Sequence, residues 1–166
     1  MRIDGAITVA AVADPVAEEV FWTAGAGAFL RGDGHDQPLR PRPDSRLVDI
    51  DLDPPFPNLE RFRAARLLDD DRFAAEFHPR VLSTSLALVW VAAGRRAAYL
   101  TDGAEFRDNV HFTSGIAICR AAGCTVTGLA GQPLHSTPGG LLAAADTSTH
   151  ARLVELIGAQ GLTADR

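Results

Sequence analysis

Between Arg46 and Asp53 the chain reads RLVDIDLD, with Val48, Ile50 and Leu52 on one face and Asp49, Asp51 and Asp53 on the other. That period of two predicts a half-buried strand, stopped by the PPFP that follows. Ahead of it, GAITVAAVADP predicts a strand ending at Asp14-Pro15. EEVFWTAGAGAFLRGDG predicts a second strand running into a glycine-rich turn, the two forming a hairpin. The polar, proline-rich residues 33–46 predict a loop. NLERFRAARLLDDDRFAAEF predicts helix in two pieces broken at Asp69–Asp71, with Asn58 capping the first and one of the aspartates the second. STSLALVWVAAG is apolar nearly all round and predicts a buried helix from Ser83 or Thr84 to Gly94. A further helix is expected from about Val110 to Ala122 with Gly123 beyond its end. RRAAYLT, CTVTGL and GLLAAAD predict short strands, and Asp146 or Thr147 caps a closing helix, TSTHARLVELIG. Alternation of strands and helices, without repeat or linker, predicts a single α/β or α+β unit over residues 1–166.

With 166 residues, 46% of them hydrophobic, the chain is long enough for one domain with its own core. A net charge of −5 argues against a nucleic-acid or anionic-membrane surface. No run of 18 apolar residues suggests a membrane span, and the opening MRIDGAITVAAVADP reads as a strand rather than a signal peptide. Cys119 and Cys124 match neither a CxxC pair nor a zinc knuckle. In their apolar setting they read as buried reduced thiols of a cytoplasmic protein.

Several stretches carry candidate chemistry. Asp49, Asp51 and Asp53 offer oxygen ligands for Mg²⁺ or Ca²⁺. Charges along the solvated face of an edge strand give the same pattern, and that reading is preferred. The aspartates of LDDDR are better explained by a helix start. AGAGAF lacks the helix that a phosphate cradle needs after it. Ser83, Thr84 and Ser85, with His78 upstream, suggest a nucleophile and base, but hydroxyls at a helix start more often serve as caps. His111 stands at the mouth of an apolar helix, where a hydrogen-bonded structural role competes with a functional one.

Taken in series, four segments resemble the inositol monophosphatase family of Mg²⁺-dependent phosphatases. AAVADPVAEEVFWTAGAGAFLRG is similar to a family strand–turn–strand with the pattern ELFxAxxGxGAFxNG. RVLSTSLALVWVAAGRRAAYL resembles RxxGSAALxLxxVAAGxxDAY, and NVHFTSGIAICRAAGCTVTGLAGQPL resembles WDxAAGxxIxxEAGGxVTDxxGxPL. GLLAAADTSTHARLVELI resembles the family's closing strand and helix. The resemblance implies the C-terminal half of a layered αβαβα fold, a mixed sheet with flanking helices. Residues 1–32 would form a hairpin of a first sheet, and 46–166 a second sheet with its helices. It also implies a site for an inositol or sugar phosphate, with His111, Ser83 and Thr84 as candidate substrate-binding residues.

Two departures qualify what the resemblance implies. The family holds its metals with a glutamate on an early helix, the two aspartates of DPxDGT and the aspartate of WD. The first three lie ahead of the segment matched here, and Asp4-Gly5 reads as a hairpin turn rather than a remnant of DPxDGT. At the WD position stand Val110 and His111, and imidazole is a poor Mg²⁺ ligand. Asp108, three residues before His111, is the one candidate metal ligand. The expectation is therefore a family portion that binds no Mg²⁺ and is inactive alone. Three functions stay open: a phosphomonoesterase completed by other residues, a non-catalytic regulatory half-domain acting as a homo-oligomer or with a partner chain, and a repurposed small-molecule-binding domain.

Overall fold

The computed structural model describes residues 2, 3, 6–54, 57–104, 106 and 108–162, the side chains of 2, 3 and 6 excepted. The Asp4-Gly5 turn lies outside them. Strands β1 (Arg2–Ile3) and β2 (Ala6–Ile7) pair as a small ribbon. An antiparallel sheet follows, of β3 (Ala10–Asp14), β4 (Glu19–Thr23), β5 (Ala28–Gly32) and β6 (His35–Pro38), in that spatial order. The expected hairpin thus has a third strand, because Gly25 and Gly27, both at positive φ, reverse the chain inside AGAGAF. β6 corrects the loop predicted over 33–46. All four of its side chains are exposed, so it leaves no hydrophobic signature, and it is held through backbone pairing with β5.

A mixed five-stranded sheet is built from β7 (Leu47–Asp51), β8 (His78–Val81), β9 (Ala98–Thr101), β10 (Thr125–Thr127) and β11 (Leu141–Ala144). Its order is β10-β11-β9-β7-β8, with β7 parallel to both of its neighbours. Between the sheets lie α2 (Leu86–Ala92) and α3 (Thr113–Ala122). On the far side of the five-stranded sheet sit a 3₁₀ turn (Ala64–Asp69), α1 (Asp71–Glu76) and α4 (Thr147–Gly158). The chain therefore stacks as sheet, helices, sheet, helices. One core, around Phe21, Leu88 and Ile118, fills the space between the sheets. The other, around Phe62, Phe73 and Leu156, lies beneath α1 and α4.

Three boundaries differ from expectation. The first helical piece begins at Ala64 rather than after Asn58, whose amide instead donates to Asp102 Oδ1 at 3.2 Å. α2 and α3 each start two to three residues later than predicted, because the residues ahead of them are spent on turns. Asp70 and Asp146 cap α1 and α4 as expected, each accepting two backbone N–H groups.

The larger correction concerns DIDLD. β7 is an interior strand, not an edge, so its aspartate face is covered by α2 and α3 while Val48 and Ile50 face α4. Asp49 is 0% and Asp51 2% exposed. A buried carboxylate requires partners. Arg96 Nε reaches both oxygens of Asp49 at 2.8 and 2.9 Å, and its guanidinium lies 4.9 Å from the Trp90 ring. Burial still pushes the Asp49 carboxyl upward, with Arg96 opposing. Cys119 and Cys124 are buried and unbridged.

Two contacts set how closely these elements approach, one between the two inner helices and one between helix end and sheet. Gly115 in α3 faces Leu88 in α2 so closely that a Cβ there would meet Leu88 Cβ at 2.8 Å. Across the inner core, Arg95 clasps Glu19 of β4 with bonds of 2.6 and 2.7 Å. After β10, the loop to β11 winds around the buried amide of Gln132. Its Nε2 donates to Gly139 O (2.9 Å) and Ser136 O (3.3 Å), while Oε1 accepts from Ala130 N–H at 3.0 Å.

Candidate functional site

Parallel strands end at a common edge, and the turns beyond their carboxyl ends are where an α/β sheet opens a crevice. Here β7 ends at Asp51 and β8 at Val81, both beside the N-terminal ends of α2 and α3. The link from β8 to α2 is held by Leu82 N–H donating to Ile50 O at 3.1 Å, which sets Ser83, Thr84 and Ser85 just past the strand ends. Thr84 Oγ1 accepts from Leu86 N–H at 3.2 Å, a turn bond ahead of the helix; the N-cap of α2 is Ser85, which makes no side-chain capping bond, so the capping role expected of these hydroxyls is not met. Ser83 does something else: its hydroxyl donates to Asp51 Oδ2 at 3.3 Å.

Asn109 shapes the start of α3. Its side-chain oxygen accepts the His111 N–H at 2.9 Å and its carbonyl accepts the Thr113 N–H at 2.9 Å. The turn sets alternate side chains apart. Phe112 packs inward, edge-on to Phe106 with centroids 5.1 Å apart, while His111 is exposed. These elements enclose a cleft of ≈ 250 Å³ lined by Asp51, Asp53, Ser83, Thr84, Ser85, His111 and Phe112.

Asp51 is the floor of the cleft. Its carboxylate accepts from the Tyr99 hydroxyl (3.2 Å) and Ser83 at Oδ2, and from Asp53 N–H (3.1 Å) at Oδ1. Burial raises its affinity for a proton; the donors from Asp53 N–H, Tyr99 and Ser83 oppose this, and the nearby Asp53 carboxylate adds to it. Tyr99 is pushed well above the ordinary phenol range by burial and by the charge of Asp51, so the proton stays on tyrosine.

Three of the four candidate residues, His111, Ser83 and Thr84, therefore meet at one cleft. The fourth, Asp108, is exposed, sits at φ 57° and is not among the cleft-lining residues. His78 opens β8 at the end of the sheet away from the cleft, so it is no base for Ser83. Phe112 is not singled out by the sequence, whereas Asp51 and Asp53 are weighed there as metal ligands and set aside for a solvated strand face, and Ser85 as a nucleophile set aside for a cap. The strict alternation of DIDLD carried the signal for the two aspartates, but it does not distinguish a solvated face from one turned beneath helices.

The donor set does not suit Mg²⁺, which takes near-octahedral oxygen. Asp51 is committed to three protein donors, His111 presents nitrogen, and among the described residues no group of three His, Cys, Asp or Glu is placed to hold a metal.

Comparison with known proteins agrees with this architecture. A Mycobacterium tuberculosis protein described as probable inositol 1-monophosphatase ImpA is 33% identical over 149 residues, covering 84% of this chain and 52% of that protein. The structure of Mycobacterium tuberculosis SuhB superposes with a TM-score of 0.71 at 24% identity, over 96% of this chain and 62% of that one. SaIMPase-II, solved with inositol monophosphate bound, gives a TM-score of 0.65 at 24% identity, over 96% and 61%. At such identity the two superpositions speak for the fold, and the chain spans between half and two thirds of the length of all three. The family model for inositol monophosphatases matches residues 2–161, and the chain belongs to the inositol monophosphatase family.

Proposed function

We propose that the cleft holds an inositol or sugar phosphate monoester and that the 166-residue chain, by itself, binds this ligand without hydrolysing it. The observation that carries the reading is the meeting of Ser83, Thr84, Ser85 and His111 over a buried Asp51 at the carboxyl ends of parallel strands. The hydroxyls of Thr84 and Ser85 and the imidazole N–H of His111 are donors suited to phosphate oxygens, and the Asp53 carboxylate accepts from ring hydroxyls. That SaIMPase-II was solved with inositol monophosphate bound supports the ligand class. Hydrolysis in this family rests on Mg²⁺, which polarises the phosphate and activates water when bound. The carboxylates in this cleft do not converge as that chemistry requires, so no hydrolytic step is assigned to the chain alone.

Calorimetric titration with inositol 1-phosphate in the presence of a chelator tests the reading. Saturable binding is expected, weakened about 10-fold or more in Thr84→Ala or His111→Ala, since a hydrogen bond to a charged group is worth ~1.5–3 kcal/mol. Absence of binding at millimolar ligand would overturn the ligand assignment. Phosphate release at millimolar Mg²⁺ that disappears on chelation and survives further purification would overturn the non-hydrolytic part. The reading extends to assembly: a homo-oligomer or a complex with a partner chain is supported by the apolar outer face of the four-stranded sheet.

A further inference from the structure

Helix α3 ends in a way that sets two sulfurs side by side. Gly123, at φ 92°, turns the chain, and two backbone bonds close the end. Gly123 N–H donates to Arg120 O at 3.1 Å, and Cys124 N–H to Cys119 O at 2.9 Å. In such a helix end the residue after the left-handed position packs its side chain back onto the residue whose carbonyl it bonds. Here both of those residues are cysteine, and the chain has no other. Their thiols are in hydrogen-bonding contact. The main-chain bond also keeps their Cα atoms within the ~4.4–6.8 Å over which a disulfide closes.

The two sulfurs are not equivalent. Cys119 lies in the core between the sheets, fully buried, and its Sγ reaches across to α2, donating to Leu88 O at 3.0 Å. The Cys124 thiol beside it and burial hold the Cys119 thiol well above the ordinary range, so it keeps its proton at neutral pH. Cys124, at 8% exposure, stands at the helix end, where the backbone opens at least cost. Its neighbour Gly123 is exposed, with nothing within 4 Å of its would-be Cβ. Cys124 is therefore the sulfur that a small oxidant reaches, and Cys119 the one behind it. A zinc site needs further ligands, and among the described residues no third His, Cys, Asp or Glu joins the pair.

We propose that Cys119 and Cys124 form a redox-responsive dithiol site, which a hydroperoxide converts to an intrachain disulfide across the end of α3. The proposal is independent of the ligand assigned to the cleft. In the first step the Cys124 sulfur, as thiolate, attacks the peroxide. An S–O bond forms, the O–O bond breaks, and the released oxygen takes the Cys124 proton and leaves as water. In the second step the Cys119 sulfur attacks the sulfenic sulfur. The S–S bond forms, the S–O bond breaks, and the hydroxyl leaves with the Cys119 proton as a second water. The two sulfurs thus give two electrons to one hydrogen peroxide. Because Cys119 holds its proton, closure is slow and quickens as pH rises. The bridge removes the S–H donor at Leu88 O, so a tie between α2 and α3 is exchanged for one between α3 and the start of β10. A dithiol reductant restores both thiols.

Treatment of the full chain, at low micromolar concentration and mildly alkaline pH, with millimolar hydrogen peroxide tests this. Thiols are counted in denaturant and products identified by mass spectrometry. The wild type should lose both thiols and the mass of two hydrogens, and dithiothreitol should return both. Arg120 lies between the cysteines, so trypsin cuts the closed loop and should leave peptides 108–120 and 121–152 joined only through sulfur. Cys119→Ser, which keeps a donor for Leu88 O, should stop at a sulfenic acid on Cys124 that dimedone traps. Cys124→Ser should react at least ~10-fold more slowly, because its remaining thiol is shut in the core. The wild-type measurement stands without either variant. A wild type that keeps both thiols, that is oxidised beyond the sulfenic acid without bridging, or that joins two chains instead would overturn the site. Equal rates in the two variants would overturn the order of attack.

Discussion

The approach of α2 to α3 makes Gly115→Ala an informative perturbation. A methyl group at this position would lie 2.8 Å from Leu88 Cβ and 2.9 Å from Leu88 Cδ1. Carbon atoms rest at ~3.5–4.0 Å, so the two helices must separate by roughly 1 Å or tilt. Leu88 cannot rotate clear, because its Cβ is fixed to the α2 backbone. Overpacking of this kind costs about 1–3 kcal/mol. Replacing glycine by alanine inside a helix returns ~1 kcal/mol. The net loss is then about 1 kcal/mol, a fall in Tm of roughly 2–4 °C for a chain of this length. Gly158, at the end of α4, has nothing within 4 Å of its own would-be Cβ, so Gly158→Ala carries only the gain and should raise Tm. Gly115 and Leu88 are each the third residue of their helix, directly below the cleft walls formed by His111 and Ser83–Ser85. Separating the helices therefore widens the cleft, and titration with inositol 1-phosphate should show weaker binding in Gly115→Ala and none of that effect in Gly158→Ala. Thermal unfolding followed by circular dichroism is the primary measurement. If Gly115→Ala melts above the wild type by as much as Gly158→Ala does, the helices slide apart freely and the reasoning fails.

Other outcomes follow from the buried titratable groups. Burial raises the Asp51 proton affinity in the fold, so its contribution to stability is complete below about pH 4 and is lost as pH rises through the raised value. Asp51→Asn should gain on the wild type in Tm between pH 4 and 7; a constant difference across that range would contradict the assignment. His150 behaves oppositely. Burial lowers its proton affinity, so its share of stability is intact above about pH 6.5 and is lost on acidification through the lowered value. Its Nε2 lies 2.7 Å from Thr127 Oγ1, whose proton goes to Gly128 O. Urea titrations at pH 5 and 7 should show a smaller pH difference in His150→Gln than in the wild type. His111→Asp adds a carboxylate at the cleft, yet Asp51 remains occupied by its three donors, so calorimetry should detect no tight Mg²⁺ binding; a micromolar Kd would show that Asp53 and Asp108 rearrange around the ion.

Patterns that repeat through packing were legible. The glycine stops at Gly94 and Gly123, the caps at Asp70 and Asp146, and the helix that runs apolar all round into the space between two sheets each follow from local chemistry that tertiary structure had no reason to oppose. His111, Ser83 and Thr84 were reached through resemblance, and their meeting at one cleft is a property of the strand order. β6 and β8 were invisible for a common reason. β6 is wholly exposed and β8 nearly so, so backbone pairing to a neighbour holds them without any pattern in the side chains. The aspartates of β7 show the same limit from the other side. Alternation gives the face on which a residue lies, but whether water or a helix lies beyond that face depends on Arg96, Tyr99 and Ser83, which stand 32 to 48 positions away in the chain.

The amide of Gln132 gives the loop between β10 and β11 a chemical lifetime as well as a shape. Three hydrogen bonds from one side chain help hold thirteen residues, from Gly128 to Gly140, and the amide sits so close to Gly128 that a Cβ there would lie 2.0 Å from Gln132 Nε2. Hydrolysis of that amide to a carboxylate would exchange two donated bonds for two oxygen–oxygen contacts with Gly139 and Ser136. Each orphaned carbonyl costs about 1–3 kcal/mol if it stays dry. The loop would then open to water, and Leu129, packed beneath it at 0% exposure, would open with it. Deamidation at this single position would therefore loosen the whole loop, and at 8% exposure the amide is largely shielded from the water that the reaction needs.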